Sequence, residues 1–305
     1  MKKQNMVVAL LLSMALLICA LPVTTVKADS TGDSENESVE VSPYISLGAD
    51  LNAQQKDIVL SLLGVTEADL DNYEVLQVTN KDEHEYLDDY LSASVIGTKA
   101  LSSVRIEKGE EGKGIHVETK NITYCTSGMY TNALITAGIT DADVIVAGPF
   151  ELSGTAALVG AMKAYEAMTG EAISEDREDA ATNELVLTSE LAQSIGSEDA
   201  EELMALVKQK VADGDIKTTE DLQKVIEESA EELDVSLTDA QKEKLAQLFE
   251  KINKLDLDVD KLKQQAESIY NKLQDLGVSV EEAGNWLDKI VSFFQKIAEK
   301  VSSWF

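Results

Sequence analysis

The sequence has few of the side chains that make covalent or metal cross-links. Its 305 residues include two cysteines and two histidines, and Cys19 lies in an N-terminal apolar stretch that we expect to be removed. Cys125 would then be the single remaining thiol, so no intramolecular disulfide can form and the fold must depend on its core. A structural zinc site takes a cluster of cysteine and histidine ligands, which these scattered residues do not supply. We expect no metal centre and no cofactor.

Basic residues are also scarce. The chain carries 26 lysines and arginines against 56 aspartates and glutamates, a formal net charge of −30. Such a charge repels nucleic acid and anionic lipid, so we expect no nucleic-acid partner. It suits a protein that meets cations, and equally a protein that only has to stay soluble outside the cell. Weak and diffuse Ca²⁺ binding stays open on this ground.

Glycine motifs of catalysis and phosphate binding are missing where a strand pattern turns into a helical one. Residues 142–166 read "ADVIVAGPFELSGTAALVGAMKAYE". No Lys-Ser or Lys-Thr pair ends a P-loop, no G-x-G-x-x-G follows the strand, and Ser153 lacks the G-x-S-x-G frame of a nucleophile elbow. We interpret the stretch as a turn, in which Gly148 and Pro149 end the strand and Ser153 caps the helix. Gly160 belongs to a small-residue face suited to close packing.

The N-terminus has the organisation of a secretory signal. Lys2 and Lys3 form a positive start, an uncharged apolar stretch covers residues 6–21, and "VKA" places small residues before a cut. Residues 1–28 are therefore interpreted as a signal peptide that is cleaved near Ala28. We expect the mature chain to be secreted and extracellular, in a bacterium.

The rest of the chain divides into four segments by composition. Residues 29–45 are acidic and poor in large apolar side chains, which is typical of a disordered spacer. Residues 46–172 mix helical and strand patterns without a regular βαβ rhythm, which predicts an α+β domain. Residues 173–275 show helical patterns alone and predict an all-α helical domain, with a capping-box start at Thr238. Residues 276–305 predict a C-terminal amphipathic helix.

The α+β segment is expected to contain a short mixed sheet of about four strands. "YEVLQVT" (residues 73–79) is the first, and "ADVIVAG" is the last. Between them, "ALSSVRIEKGEEGKGIHVETKNIT" holds two alternating runs around a glycine-containing turn, the signal of a β-hairpin. If the hairpin closes at "GEEG", one face carries Val104, Ile106, Ile115 and Val117.

Four stretches of the chain resemble a known family: "VIGTKALSSVRIE", "GIHVETKNITY", "MYTNALITAGITDADVIVAGPFELSGTAAL" and "KAYEAMTG". They are similar to the YpuA-like proteins, exported proteins of low-GC Gram-positive bacteria whose defining domain has no assigned function. The likeness is dense from Val95 to Gly170 and thinner from Asn52 onward. It implies export and one common fold, and it transfers no catalytic residues, because none is established for the family.

Cys125 together with His116 would be the arrangement of an enzyme, a thiol activated by an imidazole. Nine residues of straight extended chain would hold the two about 30 Å apart. A bend could shorten this distance, and His84 could approach from elsewhere. The alternative for a lone cysteine is a small, buried and unreactive side chain.

Two acidic stretches have part of the spacing of a calcium loop. "DLDVDKLKQQAE" has aspartates at alternate positions from Asp256 and a glutamate at the twelfth, but Lys261 stands where the sharp turn requires glycine. "DGDIKTTED" has Gly214 in place and lacks the earlier carboxylates. We interpret both as helix-end signals, with Thr218 as an N-cap.

The C-terminal stretch "NWLDKIVSFFQKIAEKVSSWF" is nearly neutral in a very acidic protein. Its large apolar side chains follow helical spacing and form one stripe of candidate partner-binding residues: Trp286, Ile290, Phe293, Phe294, Ile297, Val301, Trp304 and Phe305. Charges interrupt the stripe every few residues, so it does not span a membrane. It can lie on a membrane surface, dock into a protein partner, or close the core of a helical bundle.

These patterns favour a secreted protein without enzymatic activity, which binds or assembles at the cell envelope through its C-terminal helix. The alternative is a hydrolase-like enzyme that uses Cys125 or a pair of carboxylates in a cleft. No motif names a ligand or a substrate.

Overall fold

The computed structural model describes residues 42–213, 216–255 and 257. The predicted signal peptide and the predicted C-terminal helix lie outside these residues. Within them the elements are β1 Tyr44–Gly48, α1 Ala53–Leu62, a 3₁₀ turn Glu67–Asn72, β2 Glu74–Val78, α2 Asn80–Leu87, α3 Ala93–Ile96, β3 Ser103–Lys108, β4 Ile115–Ile122, α4 Ser127–Thr136, β5 Ala142–Leu152, α5 Thr155–Thr169, α6 Glu175–Ile195, α7 Ser197–Asp213, α8 Thr219–Glu232 and α9 Asp239–Ile252. The fold is mixed, with a sheet followed by helices.

The strands form one mixed sheet in the order β2-β1-β3-β5-β4. β1 runs parallel to β2 and antiparallel to β3, while β5 runs antiparallel to β3 and parallel to β4. The described residues thus hold five strands, where about four were expected. The additional strand is β1, which begins at Tyr44 inside the segment predicted as a spacer. Its stability comes from pairing with two distant strands, which local composition does not reveal.

The predicted hairpin of β3 with β4 is wrong, because β5 lies between the two strands. Ile106 pairs with Val144, which pairs on its other side with Val117. β5 is the most apolar of these runs and most of its residues up to Pro149 are buried, as a central strand requires. The prediction of a shared face is confirmed, since Val104 and Ile115 join Ile106 and Val117 in one core.

β5 also extends further than the sequence predicted. It continues through Gly148 and Pro149 to Leu152, so the prediction that these two residues end the strand is wrong. Consecutive pairs with β4 fall on Ala147 and then on Leu152, which leaves the residues between them outside the ladder. A proline lacks an N–H to donate, and such an irregularity is where a strand tolerates one.

Helices cover both faces of this sheet. α5 lies on β1 and β3, where a Cβ on Gly160 would stand 2.7 Å from Ser46 Oγ, so the small-residue face is what allows the close approach. Side chains of α4, including Met129, share the core on that face. α1 packs on the opposite face, against Ile45 and Leu47.

α6 connects the sheet to the later helices. Its Ala181 and Leu185 pack into the core of the sheet, whereas Leu187 and Leu191 pack into a second core with α7, α8 and α9. None of the helices within the described residues is long and apolar enough to cross a bilayer.

The N-caps predicted at Thr218 and Thr238 are confirmed. The side chains of Thr218 and Thr238 accept hydrogen bonds from backbone N–H groups three residues onward. The cap predicted at Ser153 is wrong, because α5 begins at Thr155 and its N-cap is Gly154. Gly154 has a φ of 97°, a left-handed conformation that glycine adopts without strain.

Candidate functional site

Side chains from other parts of the chain form hydrogen bonds at the turn between β5 and α5. Ser102 Oγ accepts a hydrogen bond from the N–H of Ala157 at 2.9 Å, and Thr155 Oγ1 donates to Glu83 Oε1 at 2.8 Å. Burial raises the pKa of Glu83, although hydrogen bonds from Thr155 and Asn80 act in the opposite direction. In a P-loop a phosphate would bind at such a helix start. Here the Ser102 hydroxyl binds a backbone N–H of the helix start, and the Glu83 carboxyl group binds the Thr155 side chain. The stretch therefore acts as a turn.

Cys125 is buried, with 1% of its surface exposed. Burial raises the pKa of its thiol to about 12, although a hydrogen bond with Tyr130 acts in the opposite direction. His116 is exposed on β4, and His84 Nδ1 lies 2.6 Å from Asp88 Oδ1. The thiol is therefore protonated near neutral pH, which is the unreactive form. This argues against Cys125 as a nucleophile.

Glu184 of α6 and Lys208 of α7 form a buried ion pair. Lys208 Nζ lies 2.5 Å from Glu184 Oε1. Lys208 also donates to the carbonyl oxygen of Asn132 at 2.8 Å, and Thr136 donates to Glu184 Oε2 at 2.5 Å. Burial lowers the pKa of Lys208 and raises that of Glu184, while their mutual attraction opposes both shifts. The pair links α4, α6 and α7, which is a structural role.

The candidate functional site is a groove of about 560 Å³ between α2, the end of α5 and the start of α6. Its size is that of a small-ligand pocket. Six carboxyl groups and two tyrosines line it, and within the described residues none of its lining side chains is basic. We call this set the acidic groove: Glu85, Tyr86, Asp89, Tyr90, Glu166, Ile173, Glu175, Glu178, Asp179 and Thr182.

Two tyrosine–carboxylate pairs join α2 and the turn after it to α6. The hydroxyl of Tyr86 donates to Glu178 Oε1 at 3.1 Å, and the hydroxyl of Tyr90 donates to Asp179. Lys251 of α9 completes the second pair, because its Nζ lies 2.8 Å from both the Tyr90 oxygen and Asp179 Oδ2. The ammonium lies 2.8 Å from the hydroxyl oxygen and 5.1 Å from the ring centroid, so the contact is mainly a hydrogen bond.

The charges that act on Glu178 are mainly negative, although the charge of Lys163 lowers its pKa. Burial raises the pKa of its carboxyl, the hydrogen bond from Tyr86 acts in the opposite direction, and the charge of Glu166 raises the pKa further. Lys163 Nζ stands 5.7 Å from the centroid of the Tyr86 ring and forms its ion pair with Asp82, which is not a groove residue. A cation placed beside Glu178 would therefore be attracted.

Thr182 contributes an unpaired hydroxyl to the acidic groove. The residue is 1% exposed, and its Oγ1 has no hydrogen-bond partner within the part of the chain that the structure describes. Leaving a buried hydroxyl without a partner costs about 1–3 kcal/mol. Thr182 lies one helical turn after Glu178 on the same face of α6, so both point toward one region of the groove.

The chain matches the family described as "Protein of unknown function (DUF1002)" over residues 47–269. The chain belongs to the DUF1002 family. It is also 39% identical, over 296 residues that cover 97% of each chain, to the "Uncharacterized protein YpuA" of Bacillus subtilis (strain 168). The resemblance to the YpuA-like proteins is thereby confirmed. No solved structure matches the chain. The acidic groove lies within the span that matches the DUF1002 family.

The predicted partner-binding residues from Trp286 to Phe305 lie outside the described residues, as do Asp256 and Gly214 of the calcium-like stretches. Between residues 42 and 257, wherever the structure is described, no three histidine, cysteine or acidic side chains are grouped as a metal site would require. The acidic groove was not predicted from the sequence. The one local pattern that indicates it is "EHEYLDDY", in which two tyrosines stand four residues apart among acids.

Proposed function

We propose that this protein is an exported, non-enzymatic binding protein that holds cationic ligands in the acidic groove. The proposal is supported by the six carboxyl groups and two tyrosines that line a groove of about 560 Å³. Carboxylates attract cations, and aromatic rings add a favourable face for them. The formal net charge of −30 would also steer a cationic ligand toward the protein and speed its association.

Titration with a fluorescent lysine decapeptide at low salt tests this function. We expect saturable binding that weakens as salt is added, because screening reduces the attraction between the charges. The double variant Glu175→Gln/Glu178→Gln should lose most of this binding. Its matched control is Glu110→Gln/Glu111→Gln, which removes the same charge from an exposed loop. Equal losses in both variants would show non-specific attraction and end the proposal.

Export and attachment at the cell envelope belong to the same proposal. The signal pattern in residues 1–28 supports export, and the apolar stripe in residues 286–305 supports attachment to a membrane surface or a protein partner. Liposome flotation of the full chain and of a chain ending at Gly284 tests the membrane contact. Equal flotation of both chains would remove it. Calcium chloride added to the decapeptide titration tests weak Ca²⁺ binding as competition.

A hydrolase-like enzyme acting through a carboxylate pair is the second candidate. The observation that favours it is Glu178, whose pKa is raised by burial and by the nearby charge of Glu166, as a general acid would require. An enzyme of this kind would cleave a bound ligand. Mass spectrometry of the decapeptide after prolonged incubation with the protein, and with Glu178→Gln as control, separates cleavage from binding.

A further inference from the structure

We propose that Tyr86, Glu178 and Thr182 form a subsite for a primary ammonium group of the ligand in the acidic groove. The inference rests on the proposed function and names the chemical class of the ligand. The ammonium can belong to a free alkylamine or to a lysine side chain, since the recognised group is the same in both.

The protein itself provides the template for such a subsite. At Tyr90 and Asp179, the ammonium of Lys251 donates to the phenol oxygen and to the carboxylate, at 2.8 Å in each case. The Tyr90 hydroxyl simultaneously donates to the other oxygen of Asp179. A tyrosine hydrogen-bonded to a carboxylate therefore presents two acceptors to one primary ammonium.

Tyr86 and Glu178 repeat this arrangement one turn earlier. Tyr86 donates to Glu178 Oε1, which leaves the phenol oxygen and Oε2 as acceptors, and Glu178 makes no ion pair within the described residues. The backbone N–H of Leu91 donates to the carbonyl of Leu87 at 2.8 Å, so the helical path continues past the end of α2. A helical rise of 1.5 Å per residue places the Cα atoms of Tyr86 and Tyr90 about 6 Å apart along the axis.

Thr182 supports a bound ligand independently of the tyrosine–carboxylate pairs. Its buried hydroxyl lines the groove without a partner in the described residues, and an ammonium can supply the missing donor. Tyrosine, carboxylate and threonine oxygens would then accept one N–H each, which matches the three donors of a primary ammonium.

The match between three N–H donors and three acceptor oxygens distinguishes a primary ammonium from other cations. A quaternary ammonium has no N–H to donate, so it would leave the threonine and tyrosine oxygens unpaired. Calcium prefers six to eight oxygen ligands, and the described residues do not group acids in that way.

Calorimetric titration of the full chain with four probes tests the subsite: putrescine, its fully N-methylated counterpart, the lysine decapeptide and calcium chloride. We expect the primary amines to bind and the methylated diamine to bind at least roughly tenfold more weakly. Equal binding of the methylated diamine would overturn the inference. Binding of putrescine alone would identify a free amine as the ligand, and binding of the decapeptide alone would identify a lysine side chain.

Two conservative variants separate this inference from the proposed function. Thr182→Val and Tyr86→Phe keep the shape of each side chain and should each lower amine affinity roughly fivefold to tenfold. Thr182→Val should fold at least as stably as the parent, because it removes an unpaired buried hydroxyl. If both variants bind like the parent while Glu175→Gln/Glu178→Gln loses binding, the inference fails and the proposed function stands. If that double variant also binds like the parent, both fail.

Lys251→Met provides a gain-of-affinity test. Removing this lysine frees the Tyr90–Asp179 pair for a second external ammonium about one helical turn from the first. We expect putrescine to bind several-fold more tightly to Lys251→Met, and propylamine, which has a single ammonium, to gain much less. Lys244→Met on the same helix is the matched control, since Lys244 pairs with Glu190 at the surface. Equal effects of the two lysine variants would contradict the claim that the Tyr90–Asp179 pair binds an external ammonium group.

Discussion

Lys208 Nζ and Glu184 Oε1 lie 2.5 Å apart with 1% and 0% of their side chains exposed. Removing one charge of such a pair leaves the other buried and uncompensated, which costs about 3–5 kcal/mol. We therefore expect Lys208→Met to lower the free energy of unfolding by about that amount in a denaturant titration. The double variant Lys208→Met/Glu184→Gln should recover part of the loss, because no unpaired charge remains.

Lys244→Met is the control for that measurement, because its ion pair with Glu190 is exposed. Exposed pairs contribute at most about 1 kcal/mol. A Lys208→Met variant as stable as the control would show that the Glu184–Lys208 pair does not hold α6 to α7.

Cys125 should resist alkylation in the folded protein. Its thiol is 1% exposed, and burial raises its pKa to about 12, so access and thiolate are both lacking at pH 8. We expect iodoacetamide to modify Cys125 quantitatively in denaturant and negligibly without it, as read by intact mass. Rapid modification of the folded chain, together with a loss of any activity, would favour the enzyme hypothesis.

We expect Glu202 to make the stability depend on pH. Burial first, and then the charges of Glu198, Asp199 and Glu201, raise the pKa of Glu202 from 4.5 to about 7. The folded chain therefore keeps this proton to higher pH than the unfolded chain does. The resulting stabilisation is complete below pH 4.5 and is lost as the pH rises to about 7.

Glu202→Gln should remove this dependence and stabilise the protein at pH 8, by on the order of 1 kcal/mol after allowance for solvent screening. Thermal unfolding of both proteins between pH 4.5 and 8 measures the effect. Glu243→Gln, at an exposed position of α9, should leave the slope unchanged. An unchanged slope in Glu202→Gln as well would refute the assignment to Glu202.

Amine binding in the acidic groove should weaken as the pH falls. The pKa of Glu178 is raised by burial, against the hydrogen bond from Tyr86, and is raised further by Glu166 and Glu175, against the charge of Lys163. The carboxyl group is therefore protonated at a higher pH than an ordinary glutamate. Once protonated, it no longer attracts a cation by its charge. Putrescine affinity should decline from pH 7 toward pH 5, and much less in Glu178→Gln. A flat profile in the parent would contradict this role of Glu178.

The sequence predicted those features that depend on neighbouring residues. Caps at Thr218 and Thr238 and the shared burial of Val104 and Ile115 follow from local chemistry and from a period of two. The place of β5 between β3 and β4 could not be predicted in this way, because a hairpin satisfies the same alternation. Whether β3 and β4 form a hairpin or lie on either side of β5 depends on strand pairing across the whole sheet.

The acidic groove was beyond local patterns for a similar reason. Tyr86 and Glu178 stand 92 positions apart in the chain, and each occurs in a helix whose acids look like a solvated face. The unpaired hydroxyl of Thr182 becomes visible once its surroundings are known, since a threonine within a helix is ordinary in sequence.

The most direct test of ligand binding in the acidic groove is a hydrogen-exchange footprint of the full chain with and without saturating lysine decapeptide. We expect added protection in peptides that cover the end of α2 and residues 166–182, the two sides of the acidic groove, and little change in α7 or α9. Protection confined to other acidic surfaces, or spread evenly over the chain, would contradict a binding site in the groove.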